Sequence, residues 1–341
     1  MDVLSLFDVE PSGPTRVPSP APATVSVSAT APAAPVLLAV DGNSLAHRAF
    51  HAYGRVDESL GVARGGLYGF VALLCAISDK VGADGVVVGF DCRSGSERKR
   101  RHPEYKANRA EKDPALYDLL DEAPTVLVEL GVPVIVPPGW EADDVVGSAA
   151  ASAEAAGWRC VVATSDRDAF SLISGMTSVL RLRSGLDNAI EMDAAALRRA
   201  VGVAPQQYVQ FAALRGDSSD NLPGIPGIGP SRAKAVLGAY ATIEDAVADP
   251  MGCRSVLGRS LGQALIDDLA SPESVFRRNV GLMSIRRDLP VHVDSCRRRA
   301  GSGTIERCLR AWELPMLTAR AVMALGARPD LVPPPLRAPG E

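Results

Sequence analysis

Residues 36–50 read VLLAVDGNSLAHRAF: an apolar run, one aspartate, and a polar turn that opens a helical pattern. A short all-apolar run ending at Asp41 with a helix after it is the signature of a strand buried on both faces of a parallel sheet. Outward from it the pattern repeats. GVVVGF (85–90) ends at Asp91, VPVIV (132–136) precedes GWEADDVVG (139–147), CVVAT (160–164) precedes Asp166 and Asp168, and TSVLRLR (177–183) follows. Helical stretches fit 66–81, 114–130 and 142–156, and from about 193 the pattern is helical with a Gly/Pro-rich insert at 222–230. Strands alternating with helices predict an α/β fold with a central, mostly parallel sheet flanked by helices.

The acids fall where such folds place their sites. Asp41, Asp91, Asp166 and Asp168 follow strands, and Glu141, Asp143 and Asp144 open the helix after the third one. In a parallel sheet the carboxyl ends of the strands share one edge, so four loops deliver seven carboxylates to one crevice. Asp217 and Asp220 of GDSSDN are candidates to join them. Two carboxylates about 4 Å apart repel by about 4 kcal/mol at an effective dielectric of 20. Several such pairs rival a domain stability of roughly 5–15 kcal/mol, so protons or divalent cations must neutralise them. An all-oxygen donor set suits Mg²⁺ or Mn²⁺, and two such ions would serve phosphodiester hydrolysis. Helix capping explains any single aspartate equally well, but not Asp-Arg-Asp and Glu-x-Asp-Asp together.

Across its 341 residues the chain carries 36 Lys+Arg and 40 Asp+Glu, a net charge of −4 that excludes a generic basic coat protein. The net hides its distribution. Residues 97–112 (ERKRRHPEYKANRAEK) hold seven Lys/Arg against three Glu, and 253–310 hold 11 Arg against six acids. The first segment offers a phosphate-binding surface with Tyr105 as a stacking face, or else a solvated charged loop. LPGIPGIGPSRAKAVL (222–237) is a Gly/Pro hairpin entering a helix, a backbone phosphate cradle in which Gly227 and Gly229 permit the tight turn. The six cysteines show no Cys-x-x-Cys spacing and read as core thiols of a reducing cytoplasm. No apolar run approaches a membrane span, and the N-terminus lacks the layout of a secretory signal. Residues 11–35 contain 20 Pro, Ala, Ser or Thr in 25 positions and read as a disordered tail.

Seven motifs occur together and in order: DGNSLAHRAFHA (41–52), RGGLYGF (64–70), VGFD (88–91), YKANR (105–109), WEADDVVG (140–147), TSDRD (164–168) and GDSSDNLPGIPGIG (216–229). Over about 36–326 the chain resembles the bacterial 5′→3′ exonucleases, the 5′-nuclease domain of bacterial DNA polymerases I and the wider flap endonucleases. The resemblance implies a tail at 1–35, a PIN-like nuclease domain at 36–192 with a helical arch at 93–113, a helical DNA-binding region at 193–326 with a helix-three-turn-helix element at 217–240, and a tail at 327–341. It implies Asp41, Asp91, Glu141, Asp143 and Asp166 around a first Mg²⁺ or Mn²⁺. Asp166, Asp168, Asp217 and Asp220 fall around a second, with Asp144 in the outer shell. Lys106 and Arg109 match residues that contact the scissile phosphate and, with Asp166, are the catalytic candidates. Arg98 and Tyr105 match basic and aromatic positions of the DNA-binding set. Gly224, Gly227 and Gly229 match a hairpin that grips duplex, where relatives hold a K⁺ ion through backbone carbonyls.

The chain departs from the family in two places. It has Glu97-Arg98 where Phe-Arg is common, and Ser231 and Arg232 stand where the hairpin commonly continues with Lys and Thr. Arg232 or Lys234 is then the expected phosphate contact. The expectation is a stand-alone, monomeric, cytoplasmic and nucleoid-associated 5′ nuclease. Its substrates would be DNA with 5′ ends, nicks or flaps and also RNA-primed DNA, in replication or repair. A non-catalytic branched-DNA-binding protein and a PIN-type ribonuclease are the alternatives.

Overall fold

The computed structural model describes residues 33–54, 61–182 and 189–328. The tail readings at 1–32 and 329–341 lie outside the described residues. The sheet has six strands: β1 (Val36–Asp41), β2 (Gly85–Gly89), β3 (Val134–Ile135), β4 (Arg159–Thr164), β5 (Thr177–Arg181) and β6 (Ile190–Met192). Their order is β3-β2-β1-β4-β5-β6, parallel throughout except for the antiparallel edge strand β6. β1, the run that opens the fold, lies at the centre and is buried along its whole length. The chain turns outward in opposite directions from it, which is the switch point where doubly wound sheets open a crevice.

Alternation along β1 divides the core between two faces. Val36, Leu38 and Val40 pack under α1 (Gly42–Tyr53), α2 (Gly61–Val81) and α4 (Pro114–Glu129). The same face takes α13 (Ser302–Ala311) and α14 (Thr318–Leu325) through Ile305, Leu309 and Leu325. The last of the described helices therefore lie against the first ones. Leu37 and Ala39 face α5 (Ala142–Ala155), and from there the core continues through Phe170, Tyr208 and Phe211 into the helical region.

That region comprises α6 (Ala194–Val201), α7 (Tyr208–Arg215), α8 (Pro230–Ala239), α9 (Ile243–Ala248), α10 (Pro250–Leu257), α11 (Arg259–Ala270) and α12 (Val275–Met283). A two-stranded ribbon, β7 (Gly216–Asp217) and β8 (Leu222–Pro223), brackets the GDSSDN turn. Fully buried Asn279 of α12 donates from its amide to the carbonyls of Ala213 and Pro223 at 3.0 and 2.9 Å. This cross-link joins the helices to the ribbon. Among the described residues no helix is long and apolar enough to cross a membrane.

Residues 93–113 differ from the expected helical arch. They contain one five-residue helix, α3 (Glu97–Arg101), followed by turns to Asn108. His102 precedes a proline and adopts φ −133°, ψ 87°, which ends the helix. Beyond it the chain folds down onto the crevice. The N–H of Lys106 donates to the Asp220 carbonyl at 2.9 Å, and the side-chain amide of Asn221 donates to the Glu104 carbonyl at 2.9 Å.

Candidate active site

Register places the acids. Asp41 pairs with Gly89 of β2, and Val40 with Ala163 of β4, so Asp41, Gly89 and Thr164 share one level at the carboxyl edge. The Thr164 hydroxyl donates to Asp41 at 2.8 Å, and the Ser44 N–H donates to it at 2.9 Å. Asp41 therefore does cap α1, so capping and a place at the cluster coexist in one residue. Asp91 lies two residues beyond β2, its own N–H donating to Asn43 Oδ1 and its carboxylate accepting from the N–H of Ala142, both at 2.9 Å. α5 can approach this closely because a Cβ on Gly89 would lie 2.6 Å from Val145 Cβ. Asp166 lies two residues past β4 and accepts from the Asp168 N–H at 2.9 Å.

Asp41, Asp91, Asp143 and Asp166 line one crevice of about 690 Å³ together with Lys106, Arg109 and Lys112. Asp143 Oδ1 is buried there without a hydrogen-bond partner. Burial, reinforced by Asp166 and Asp41, pushes the Asp143 carboxyl well above the usual range. Burial likewise raises Asp41, with Asp91 adding repulsion. Asp166 is raised by burial and then by Asp220, and Asp168 by burial and then by Asp166 and Asp220. The carboxylates are thus desolvated and mutually repelling, a high-energy arrangement that favours proton or cation uptake. Their all-oxygen donor set fits a hard divalent ion. Among the described residues no three acid, His or Cys side chains converge as a ready ligand set on one point. Basic side chains pair with four of the acids instead, Glu141, Asp144, Asp217 and Asp220.

Lys106 Nζ donates to Glu141 at 2.9 Å and lies 4.7 Å from the centre of the Tyr105 ring. Burial would raise Glu141, but Lys106 and Arg98 outweigh it and hold its carboxyl below the usual range. Arg109 Nη2 meets Asp220 at 2.6 Å. Asp217 accepts from the N–H and hydroxyl of Ser219 at 2.9 and 2.5 Å and lines a second crevice of about 810 Å³ with Arg167 and Arg215.

Two expected roles, those of Arg98 and Tyr105, need correction. Asp144 is fully buried and its oxygens are already used. Arg98 donates to both at 2.7 Å, and the N–H groups of Glu141 and Arg286 donate at 3.1 and 2.9 Å. It has no lone pair aimed at the crevice and supports Glu141 from behind. Arg98, 7% exposed, is consequently an internal counter-ion rather than a DNA contact. Tyr105 is 5% exposed, with its hydroxyl donating to Glu141 at 3.3 Å, so it offers no open stacking face.

Sequence reasoning passed over Asn43, Ser44, Thr164, His47 and Lys112. Spacing was the available signal: Asn43, His47 and His51 recur every four residues on the α1 face that lines the crevice. Burial, with help from Lys112, pushes the His47 imidazole down to about 4, so it stands neutral beside the acids.

At the hairpin, Gly227 adopts φ 81°, where a Cβ would also approach Leu261 to 2.8 Å. Gly229 caps α8, and the backbone of Gly224 passes close beside that of Arg215. Arg232 Nη1 donates to the Gly227 carbonyl at 2.7 Å, while the exposed Lys234 lays its aliphatic stem over Gly202.

The profile of the 5′-3′ exonuclease N-terminal resolvase-like domain matches residues 36–202, and that of the 5′-3′ exonuclease C-terminal SAM fold matches 203–302. DNA polymerase I of Mycobacterium tuberculosis is 37% identical over 261 residues, covering 76% of this chain and 28% of the polymerase. The thermostable DNA polymerase I of Thermus aquaticus is 35% identical over 268 residues, covering 77% and 30%. The chain thus spans less than a third of the length of these relatives. Among solved structures, T5 D15 protein co-crystallized with metal ions superposes with a TM-score of 0.58 at 20% identity, covering 85% of this chain and 94% of that one. The catalytic core of Rad2 in complex with DNA substrate gives 0.54 at 16% identity, covering 86% and 92%.

Proposed function

We propose, from the premise that this chain belongs to the 5′-3′ exonuclease family, that it is a divalent-metal-dependent 5′ nuclease cleaving DNA at 5′ ends, nicks or flaps. The observation that carries the reading is Asp143 Oδ1, buried without a partner beside Asp41, Asp91 and Asp166 and faced by Lys106 and Arg109. The residues that would hold Mg²⁺ or Mn²⁺ are Asp41, Asp91, Glu141, Asp143 and Asp166 for one ion, and Asp166, Asp168, Asp217 and Asp220 for a second. Bound ions of this kind supply Lewis-acid charge and ease deprotonation of a water.

The chain's own groups do the rest. Lys106 and Arg109, already placed at the mouth of the crevice by Glu141 and Asp220, transfer their charge to an entering phosphate and to the charge that develops on it. Thr164, Ser44 and Asn43 hold Asp41 and Asp91 in line through their hydrogen bonds. Arg167, Arg215 and the 222–230 hairpin lie beyond the Asp217 side and would track the duplex backbone. We also read residues 36–192 and 193–326 as nuclease and DNA-binding regions, and the protein as a monomer acting on nucleoid DNA, RNA-primed DNA included.

A 5′-labelled substrate panel of flap, nick, blunt duplex, single strand and RNA primer tests the reading. With Mg²⁺ the protein should release short 5′ products, EDTA should stop it, and Asp166→Asn should abolish cleavage while binding survives. Cleavage that persists in EDTA would sink the mechanism, and a clean blank on every substrate with Mg²⁺ and Mn²⁺ would sink the activity.

A further inference from the structure

The hairpin carries its own cation. The fold family implies a K⁺ ion held by backbone carbonyls here, yet the Gly227 carbonyl is already taken by Arg232 Nη1 at 2.7 Å. Arg232 is in the first turn of α8, where the helix dipole opposes positive charge. Nothing in the local helix favours a cation at that position, so its partner must lie outside the helix. That partner is the carbonyl of the left-handed turn residue, five positions earlier. The turn itself is closed by the Ile228 N–H donating to the Ile225 carbonyl at 2.9 Å, so Arg232 is not needed to form it. A guanidinium cannot lose its proton at any working pH, so the charge Arg232 brings to this carbonyl is a fixed one.

We propose that Arg232 replaces the hairpin's potassium ion, so that this protein grips duplex DNA without dependence on K⁺. The inference rests on the reading of the hairpin as a duplex grip. Arg232 brings a fixed charge on a side chain to the Gly227 carbonyl, which removes ion binding from the cost of docking a phosphate. An added K⁺ would meet an occupied carbonyl and a like charge, and the residues present do not fit it.

The test measures anisotropy of a fluorescein-labelled nicked duplex, with Ca²⁺ replacing Mg²⁺, in potassium chloride and in tetramethylammonium chloride at equal ionic strength. The wild-type dissociation constant should agree between the two salts to within about twofold, whereas Arg232→Thr should bind about 5–10-fold more weakly in tetramethylammonium and recover in potassium. Potassium dependence in the wild type, or an Arg232→Thr variant that stays strong and indifferent to K⁺, would overturn the proposal. Thallium-205 NMR of the free proteins with thallous nitrate gives a second readout. Saturable Tl⁺ binding confined to Arg232→Thr supports the inference, and saturable binding by the wild type overturns it. Failure of both proteins to bind duplex in either salt counts against the duplex-grip reading alone, and thallium then decides.

Discussion

The acids at the strand ends and the cations of residues 93–113 meet in one crevice, but different forces put them there. Asp41, Asp91 and Asp166 are carried by strands whose every inward residue is core, and their positions follow from register and backbone N–H groups. Lys106 and Arg109 are carried by turns whose apolar anchor is the buried Tyr105, Lys106 itself at φ 59°, and their side chains are positioned by the acids they touch. The first set is held against its own repulsion by packing; the second is held by attraction to Glu141 and Asp220 beside it. A phosphate or a metal ion entering the crevice therefore acts mainly on the second set, because ion pairs can exchange partners and a parallel ladder cannot.

The largest expected effect comes from breaking the repelling set. Asp143→Asn should lower cleavage by about 10³-fold, since it removes a charge that balances the ions where the reaction's charge develops. The same change should stabilise the metal-free fold by about 1–2 kcal/mol, because a buried, unpartnered carboxylate is replaced by its neutral isostere. Loss of activity together with a lowered melting temperature in EDTA would contradict this account of Asp143.

Next in size is the join between the two sets. Arg98→Ala leaves Asp144 buried without its counter-ion and should cost about 3–5 kcal/mol in urea unfolding. The salt dependence of DNA binding should not change. A shallower salt slope with unchanged stability would return Arg98 to the DNA surface.

A pH series separates the forces further. The folded values of Asp143 and its raised neighbours lie above their unfolded values, so the folded state binds more protons and its stability falls as pH rises through that window. The stability gap between Asp143→Asn and wild type in EDTA should widen from pH 4.5 to 8, as followed by thermal melts. Titration of His47 runs the opposite way, losing stability as pH falls from its usual value towards about 4, but it cancels in the difference. Adding Mg²⁺ should raise the melting temperature of the wild type more than that of the variant.

The smallest effect belongs to the half-exposed Arg109. Arg109→Ala should reduce the slope of log affinity against log salt by about 1, with little change in unfolding free energy. A loss of stability as large as that of Arg98→Ala would erase the distinction between the two cations.

This division also explains what could be read in advance. The strand-end acids were legible because a two-sided buried strand leaves a plain apolar run, and the residue after it has one place to go. β3 shrank from VPVIV to two residues because it is an edge strand flanked by Pro133, Pro137 and Pro138, which have no N–H to give a ladder. The edge strand β6 is three residues long and left no such run. Arg98 was indistinguishable from its neighbours in Glu97-Arg98-Lys99-Arg100-Arg101, since its fate depends on Asp144, 46 residues away. The partner of Asp144 was hidden for the same reason: Glu-x-Asp-Asp gives spacing, not the direction in which each carboxylate turns. The expected arch shrinks to α3 because His102, ahead of Pro103, ends the helix, and the turns beyond it fold onto the crevice through bonds to Glu141 and Asp220.

The core that begins under β1 runs without interruption into α7, α8 and α12, and the Asn279 amide fastens α12 to α7 and the ribbon. The hairpin and the acid edge are thus parts of a single casting. On the proposed function, a strand held at the hairpin would be presented to the acids at a set offset, as work is held in a jig, and the place of the cut would be a dimension of the fold.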